Sequence, residues 1–339
     1  MATMREVAAL ARVSAKTVSR VFNNHPYVAP ETKERVESAL RELNYVPNSI
    51  ATTFRTGRAP VIGVAVPDIV DPFFALIARA AETLAGARGM SVVITSIGDD
   101  PAREIDVVQA LLSQALSGLV IAPVVSDHSY LAAWAGRMPI VFVDRQPIRL
   151  SADSFIEDDL AGAHLATTHL IEHGHRRIGF IGDDISVPTA AARLAGYRAA
   201  LADAGLDPSD ELVALGAGNR AGAATAFAEL ERDRPSALFC ADARSAINLV
   251  PLVRSSDLAV ASYGDFPLAD MLSPALTVID QDPSRLGTLA AQRVLDRLDR
   301  PNGRFRRRTV LPVTLIERES CAITSRLTRS NVLKANRAR

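Results

Sequence analysis

From residue 60 onward, short apolar runs alternate with helical periods, and this alternation restricts the fold more than any other feature of the chain. The strand-like runs are Val61–Val66, Ser91–Thr95, Gly118–Ala122, Ile140–Val143, Arg177–Ile181, Ala237–Cys240 and Leu258–Ser262. Helical periods lie between them, among them Ala75–Arg88, Glu104–Ala115, Leu160–His173 and Ala191–Ala204. Strand, helix and strand repeated in this way predict α/β parallel sheets covered by helices on both faces. The stretch, about 260 residues long, is too much for one sheet of average size, which predicts two lobes. Ligands of open α/β sheets sit beyond the carboxyl ends of the strands, so the loops after these runs are where binding chemistry belongs.

The 339 residues carry 38 Lys/Arg and 38 Asp/Glu, a formal net charge of zero. The average conceals an asymmetry. Residues 1–58 are net +4, residues 59–303 net −12 and residues 304–339 net +8. A protein that is basic throughout is excluded; a polyanion partner for the head alone is not. Cys240 and Cys321 form no CxxC motif or disulfide framework, which suits a reducing compartment. The first 30 residues lack an apolar signal core and no apolar stretch reaches membrane-spanning length, so a cytoplasmic protein without a membrane partner is expected.

The basic head reads as three helices. Met4, Val7, Ala8 and Ala11 fall on one apolar face, and Thr3 with Glu6 has the spacing of a capping box. After the turn at 11–14, Ser14 can cap a second helix, Ala15–Phe22, with Val18, Val21 and Phe22 inward and Lys16, Thr17, Ser19, Arg20 and Asn23 outward. A third helix begins at Pro30 and buries Val36, Ala39, Leu40 and Leu43. Two short helices around a tight turn, the second cationic outside, predict a helix-turn-helix. Helical spacing by itself serves a plain bundle with a solvated face equally well.

The segment Val7-Ala8…Ala11-Arg12-Val13-Ser14-Ala15-Lys16-Thr17-Val18-Ser19-Arg20-Val21 closely resembles the N-terminal domain of LacI/GalR-family bacterial transcription regulators. Pro30-Glu31-Thr32, Leu43-Asn44-Tyr45-Val46-Pro47-Asn48 and Arg55-Thr56-Gly57-Arg58 continue the match in order. The resemblance implies that Ala15, Lys16 and Arg20 read base edges while Thr3, Ser14, Thr17, Ser19 and Asn23 position phosphates. It also implies a DNA-induced hinge helix over Pro47–Arg55, with Asn48, Ala51 and Arg55 among its DNA contacts. Phe54 takes the place of the family's minor-groove Leu, and Phe is an accepted wedge; packing of Phe54 against the body is the other reading. Arg12 departs from the family, which more often has Gly in this turn.

The resemblance extends over residues 3–322, and the body resembles periplasmic sugar-binding proteins in fold. Matching segments include Pro67-Asp68…Asp71-Pro72-Phe73-Phe74, Val143-Asp144-Arg145, Leu165-Ala166…His169-Leu170…Gly174-His175-Arg176-Arg177-Ile178, Arg193-Leu194-Ala195-Gly196-Tyr197 and Ser273-Pro274-Ala275-Leu276-Thr277…Gln281. It implies a helix-turn-helix domain over 1–46, a hinge over 47–59 and an effector domain over 60–323. That domain divides into one lobe of 60–158 with 282–310 and another of 159–281 with 311–323, and 324–339 is a basic tail read as disordered. The implied effector residues are Asp71, Phe73, Phe74, Asp144, Arg193, Asp242, Asp265 and Gln281. Phe73 and Phe74 suit stacking on a sugar face, and Arg193 offers a fork to hydroxyls or a carboxylate. Each has a structural alternative: the Phe pair as core, and Asp144 as partner of Arg145. Asp242 stands where the family usually has Asn. Gly264 occupies the usual ligand-Asp position, so Asp265 serves only if its loop shifts. The segment between 246 and 263 is shorter than the family's, so an ordinary hexose is not assumed.

Other motifs carry less. Gly216-Ala217-Gly218-Asn219-Arg220-Ala221 fits a relaxed dinucleotide motif without the following acid, so no cofactor is expected. His169 and His173 stand at i, i+4, yet no third ligand is evident in sequence, and no metal is expected. No nucleophile elbow, P-loop or catalytic carboxylate pair is present, which argues against a Rossmann-type enzyme; the missing signal core and the basic head argue against a solute-binding protein. The expected protein is a homodimeric regulator, by family default a repressor, binding a pseudo-palindromic DNA duplex and a sugar-like or sugar-derived effector between its lobes. Its half-sites would lie roughly 34–36 Å apart or a multiple of that.

Overall fold

The computed structural model describes residues 2–22, 27–44, 59–207, 212–254 and 256–322, and the chain divides into two compact units, Met1–Ala59 and Pro60–Arg339. Asn23, Asn48, Ala51, Phe54 and Arg55, with the hinge segment and the tail 324–339, lie outside the described residues.

The first unit is built on α1 (Met4–Ala11), α2 (Ala15–Phe22) and α3 (Pro30–Glu42). The Thr3–Glu6 capping box forms: Thr3 N donates to Glu6 Oε2 at 2.6 Å and Glu6 N donates to Thr3 Oγ1 at 3.3 Å. Two of the N–H groups that a helix start leaves unpaired are thereby satisfied. Ser14 caps α2, its Oγ accepting from Thr17 N at 3.1 Å. Val7, Ala8, Ala11, Val18, Val21, Val36 and Ala39 form one buried cluster, with Leu40 and Leu43 packed against it. Arg12 ends α1 at φ 53°, ψ 50°. This is the left-handed conformation that Gly adopts without steric cost, so an arginine holds a glycine-like turn.

The second unit contains two six-stranded sheets. In chain order its principal elements are β1 (Val61–Val66), α4 (Pro72–Ala87), β2 (Ser91–Ser96), α5 (Pro101–Leu112), β3 (Gly118–Ile121), α6 (Ala132–Ala135), β4 (Ile140–Val143), β5 (Asp153–Glu157) and α7 (Asp159–Glu172). There follow β6 (Ile178–Ile181), α8 (Pro188–Asp203), β7 (Val213–Ala214), α9 (Arg220–Arg232), β8 (Ala237–Cys240), α10 (Ala243–Val253), β9 (Ala259–Tyr263), β10 (Thr277–Asp280), α11 (Pro283–Asp299), β11 (Arg308–Leu311) and β12 (Thr314–Ile316). The first sheet has the order β11-β5-β4-β3-β1-β2 and the second β12-β10-β9-β8-β6-β7. Every pairing is parallel except β10 with β12. The chain therefore passes from first sheet to second after β5, returns after β10, and passes over again between Leu311 and Thr314.

Several strands lie where the apolar runs predict them, and five do not announce themselves. Asp153, Ser154 and Glu157 make β5 a polar strand, although all five of its residues are buried. Asp153 is tolerated there because the Arg297 guanidinium grips both its oxygens, at 2.8 and 2.9 Å. β7 is two residues long, and β11 and β12 are edge strands with exposed residues. Three of the helices start earlier than their apolar periods. Pro72, Pro101 and Pro188 occupy the first turn, and Asp71 and Asp100 cap two of them.

Two cores hold the first lobe, one either side of its sheet. Ile62, Val64, Val66, Val120, Val141 and Val143 pack on Ile77 and Ala81 of α4 and on Leu286, Ala290 and Val294 of α11. The opposite face buries Leu111, Leu119, Ile121 and Phe142. In the second lobe, α7 and α8 approach closely. A Cβ on Gly196 would collide with the Leu160 carbonyl oxygen, and one on Gly162 would lie 2.7 Å from the Tyr263 ring. Gly196 lets α8 lie against α7, and Gly162 leaves room for the Tyr263 ring on which Arg193 rests.

Candidate functional site

In the first unit, the outward face of α2 presents Ala15, Lys16 and Arg20 exposed, with Thr17 and Ser19 half-buried. Ser14 is exposed and its hydroxyl lies 2.9 Å from that of Thr17. The apolar residues of α2 at 18 and 21 are buried, so the helix packs on one face and turns the other to solvent.

In the second unit, the carboxyl ends of strands from both sheets open onto one cavity of about 560 Å³. The switch point of the first sheet lies between β1 and β3, and that of the second around β6 and β8, which is where open parallel sheets bind ligands. Of the residues expected at an effector site, Asp71, Phe73, Phe74, Asp144, Arg193, Asp242 and Gln281 line this cavity.

Each is held by its local structure. Asp71 caps α4, its Oδ1 accepting from Phe73 N at 3.0 Å. Burial pushes its carboxyl above the usual range, with Asp242 and Asp144 adding like-charge repulsion. Phe73 and Phe74 meet edge to face at 5.0 Å between centroids. Phe74 is part of the apolar core and shows the cavity only its margin, whereas Phe73 is half-buried. Asp144 ends β4 at φ 66° and pairs with Arg145 at 3.2 Å. Arg193 is fixed three ways: Nε donates to Asp159 Oδ1 at 2.7 Å, Nη1 donates to the Ala241 carbonyl at 2.9 Å, and the guanidinium lies 3.9 Å over the Tyr263 ring. Behind it, burial raises Asp159 to about 6 despite the opposing pull of Arg193.

Two expected residues take other roles. Asp242 faces the cavity, but both its oxygens are committed to Ser245, at 2.7 Å from the backbone N and 2.9 Å from Oγ, capping α10. Asp265 does not reach the cavity. Arg318 grips it in a fork, at 2.6 and 3.2 Å. The turn at Gly264, φ +86°, passes beside Gln281 instead, close enough that a Cβ there would lie 3.1 Å from Gln281 Oε1.

The cavity also holds residues that sequence reasoning did not select. Asp99 follows β2, Asp183, Asp184 and Ser186 follow β6, and Arg244 stands in the first turn of α10. The Ser186 hydroxyl and backbone N–H hold Asp184 below the usual carboxylate range. Arg244 Nη1 lies 3.6 Å from Asp99 Oδ2, an ion pair that spans the two lobes. Out of sight, Glu104 of α5 shapes the wall. Its Oε2 accepts from the backbone N of Val124 and, at 2.9 Å, of Val125, and its Oε1 accepts from Tyr130 OH at 2.6 Å. Asp99, Asp183 and Asp184 follow apolar runs at strand ends and were open to selection by that rule; Glu104 and Arg244 carry no such signal.

The lining holds the carboxyl groups of Asp71, Asp99, Asp144, Asp183, Asp184 and Asp242 against the guanidinium groups of Arg145, Arg193 and Arg244. Such a surface is rich in hydrogen-bond acceptors and repels anions. Among the described residues, no helix is long and apolar enough to cross a membrane.

Residues 3–48 match the family model described as bacterial regulatory proteins, lacI family, and residues 167–321 match that of a periplasmic binding protein-like domain. The ribose operon repressor of Haemophilus influenzae is 32% identical over 328 residues, covering 94% of this chain and 98% of its own. Among solved structures, the lac repressor dimer bound to operator and the anti-inducer ONPF is similar with a TM-score of 0.80 and 27% identity, over 95% of this chain and 99% of that one. A transcriptional regulator CelR–cellobiose complex is similar with a TM-score of 0.69 and 29% identity, over 94% of this chain and 100% of that one.

Proposed function

The chain belongs to the LacI family of bacterial regulatory proteins, and from that premise we propose how its residues divide the work. It is a DNA-binding repressor that responds to a small-molecule effector, acting as a homodimer on operator DNA. In our reading, Lys16 and Arg20 of α2 contact base edges, and Thr3, Ser14, Thr17 and Ser19 anchor phosphates. Ala15 offers no hydrogen bond and reads only shape or a thymine methyl group. Discrimination then rests on two cations, each good for about 1–3 kcal/mol against a wrong base.

The effector enters between the two sheets. The observation that carries its class is the acidic cavity with Arg193 locked in its wall. Hydroxyl groups can donate to the carboxylates, and Arg193, with two of its five N–H donors committed to Asp159 and Ala241, offers the remainder to a ligand oxygen. A volume of about 560 Å³ is in the range of small-molecule sites and admits a sugar-sized ligand. We assign a neutral or aminated polyhydroxylated effector and exclude phosphorylated ones, whose charge the cavity would repel. Bound effector shifts the lobes between two arrangements and so biases the hinge segment; a coupling of about 1–3 kcal/mol changes operator affinity roughly 5–150-fold.

Thermal unfolding of the full chain with D-ribose, cellobiose, glucosamine and ribose 5-phosphate tests this class. A ligand that binds only the folded state raises the melting temperature. A shift with a neutral or aminated sugar, lost in Arg193→Ala, is expected. A shift with ribose 5-phosphate alone contradicts the assignment.

A further inference from the structure

The C-terminal end of α7 gathers three side chains that neither the cavity nor the head employs. His169 and His173 stand one turn apart with ring centroids 4.2 Å from each other. Glu317, the residue after β12, reaches them from the end of the chain's last crossing, its Oε1 lying 3.8 Å from His173 Nε2. One ligand-capable atom from each of the three lies within 4.8 Å of the others. The sequence shows the imidazole pair but not the carboxylate, because Glu317 arrives only through the antiparallel pairing of β12 with β10.

Two observations point to a cation. His169 is 5% exposed, and its Nε2 is buried with no hydrogen-bond partner among the described residues. Native structures rarely leave such an atom unsatisfied. His173 Nδ1 lies 2.9 Å from the His169 carbonyl oxygen. A carbonyl can only accept, so Nδ1 carries the proton and, in the neutral ring, Nε2 presents its lone pair toward Glu317. A metal-binding imidazole is commonly oriented by this kind of backbone hydrogen bond. Burial disfavours a charged imidazole at His169, but the carbonyl end of the helix and the charges of Glu172 and Glu317 attract a positive ion. His175 is not a further ligand: its Nδ1 lies 3.0 Å from Ser236 Oγ and its Nε2 3.1 Å from the Cys321 carbonyl oxygen.

We propose that His169, His173 and Glu317 form a binding site for a zinc-like divalent cation. Two imidazoles and one carboxylate suit borderline ions such as Zn²⁺ and leave a coordination position for water. Metal–ligand bonds of about 2.0–2.2 Å require the three atoms to draw closer than they stand. Glu317 has the freedom to do so, with its side chain 64% exposed. The consequence is mechanical. The ion fastens the C-terminal end of α7 to the residue after β12, holding a helix and an edge strand of the second lobe together.

The test uses untagged full-length protein, stripped with EDTA and titrated with ZnCl₂ against a chromophoric chelator, with thermal unfolding in parallel. The expected result is one site per chain in the micromolar range or tighter and a melting temperature raised by zinc but not by magnesium. His173→Ala and Glu317→Gln each weaken that site at least tenfold while leaving circular dichroism and DNA binding unchanged. Both side chains are partly exposed, so neither substitution threatens the fold in the way that replacing buried His169 does. Absence of a one-per-chain site, or a site whose affinity is the same in both variants, overturns the proposal.

Discussion

At the end of β5, where the chain first leaves the first lobe, Glu157 is 3% exposed and neither carboxylate oxygen has a hydrogen-bond partner among the described residues. Burial raises its pKa well above the ordinary value, and the neighbouring charges of Asp144 and Asp159 push the same way against Arg193. The sign of the linkage follows. A carboxyl with a raised folded-state pKa binds its proton more tightly folded than unfolded. The penalty for burying it is absent below the unfolded value of about 4.3 and accumulates as pH rises toward the folded value. Glu157→Gln removes the titration. Its melting temperature relative to the parent should therefore rise between pH 5 and pH 8 and level off below pH 4. A pH-independent difference would show that Glu157 does not titrate in this window. A buried acid of this kind at a crossing between lobes is not legible in the sequence, where the polar residues of β5 leave no apolar run.

At the scale of elements, the informative contrast is between strands that are apolar throughout and strands that are not. The runs at 61–66, 140–143 and 237–240 coincide with β1, β4 and β8 because nothing polar interrupts them. β5, β7 and β10 to β12 escape the same rule: some are polar, some very short, and the last two stand at sheet edges. The head is legible almost residue by residue, since caps, turn and apolar spacing are all local. The cavity is legible only in part. Resemblance leads to Arg193 and Asp144, whereas Asp99, Asp183 and Arg244 converge through sheet topology, and Asp265 is withdrawn by Arg318. Arg193 depends in turn on the crossing of α7 and α8 at Gly196. In Gly196→Ala, the added methyl collides with the Leu160 carbonyl oxygen and lies 3.0 Å from Ala163 Cβ, forcing the helices apart. Overpacking of this kind costs about 1–3 kcal/mol, a melting point several degrees lower, and effector affinity should fall with it. An unchanged melting curve would mean the two helices are free to separate.

At the scale of the whole molecule, a formal charge of zero is the sum of a basic head, an acidic body and a basic end. Within the acidic body, Arg244 stands among Asp71, Asp99, Asp183 and Asp242, drawn from both lobes. An exposed pair such as Arg244–Asp99 contributes about 0–1 kcal/mol to folding. Its larger effect is on closure, because without Arg244 carboxylates of the two lobes face each other across the cleft. Arg244→Ala should leave the melting temperature nearly unchanged and weaken sugar binding several-fold, most at low ionic strength, where screening is least. Equal affinity at 0.01 M and 1 M salt would remove Arg244 from the closure.

The head provides the most direct measurement. Selection of random duplexes on the full-length chain at moderate salt, followed by fluorescence anisotropy with the enriched and a scrambled sequence, asks whether this is a sequence-reading regulator. The account predicts a pseudo-palindrome bound about 10³-fold or more tighter than the scrambled duplex, a margin that Arg20→Ala and Lys16→Ala each reduce. Failure to enrich any sequence, or equal affinity for both duplexes, would contradict it.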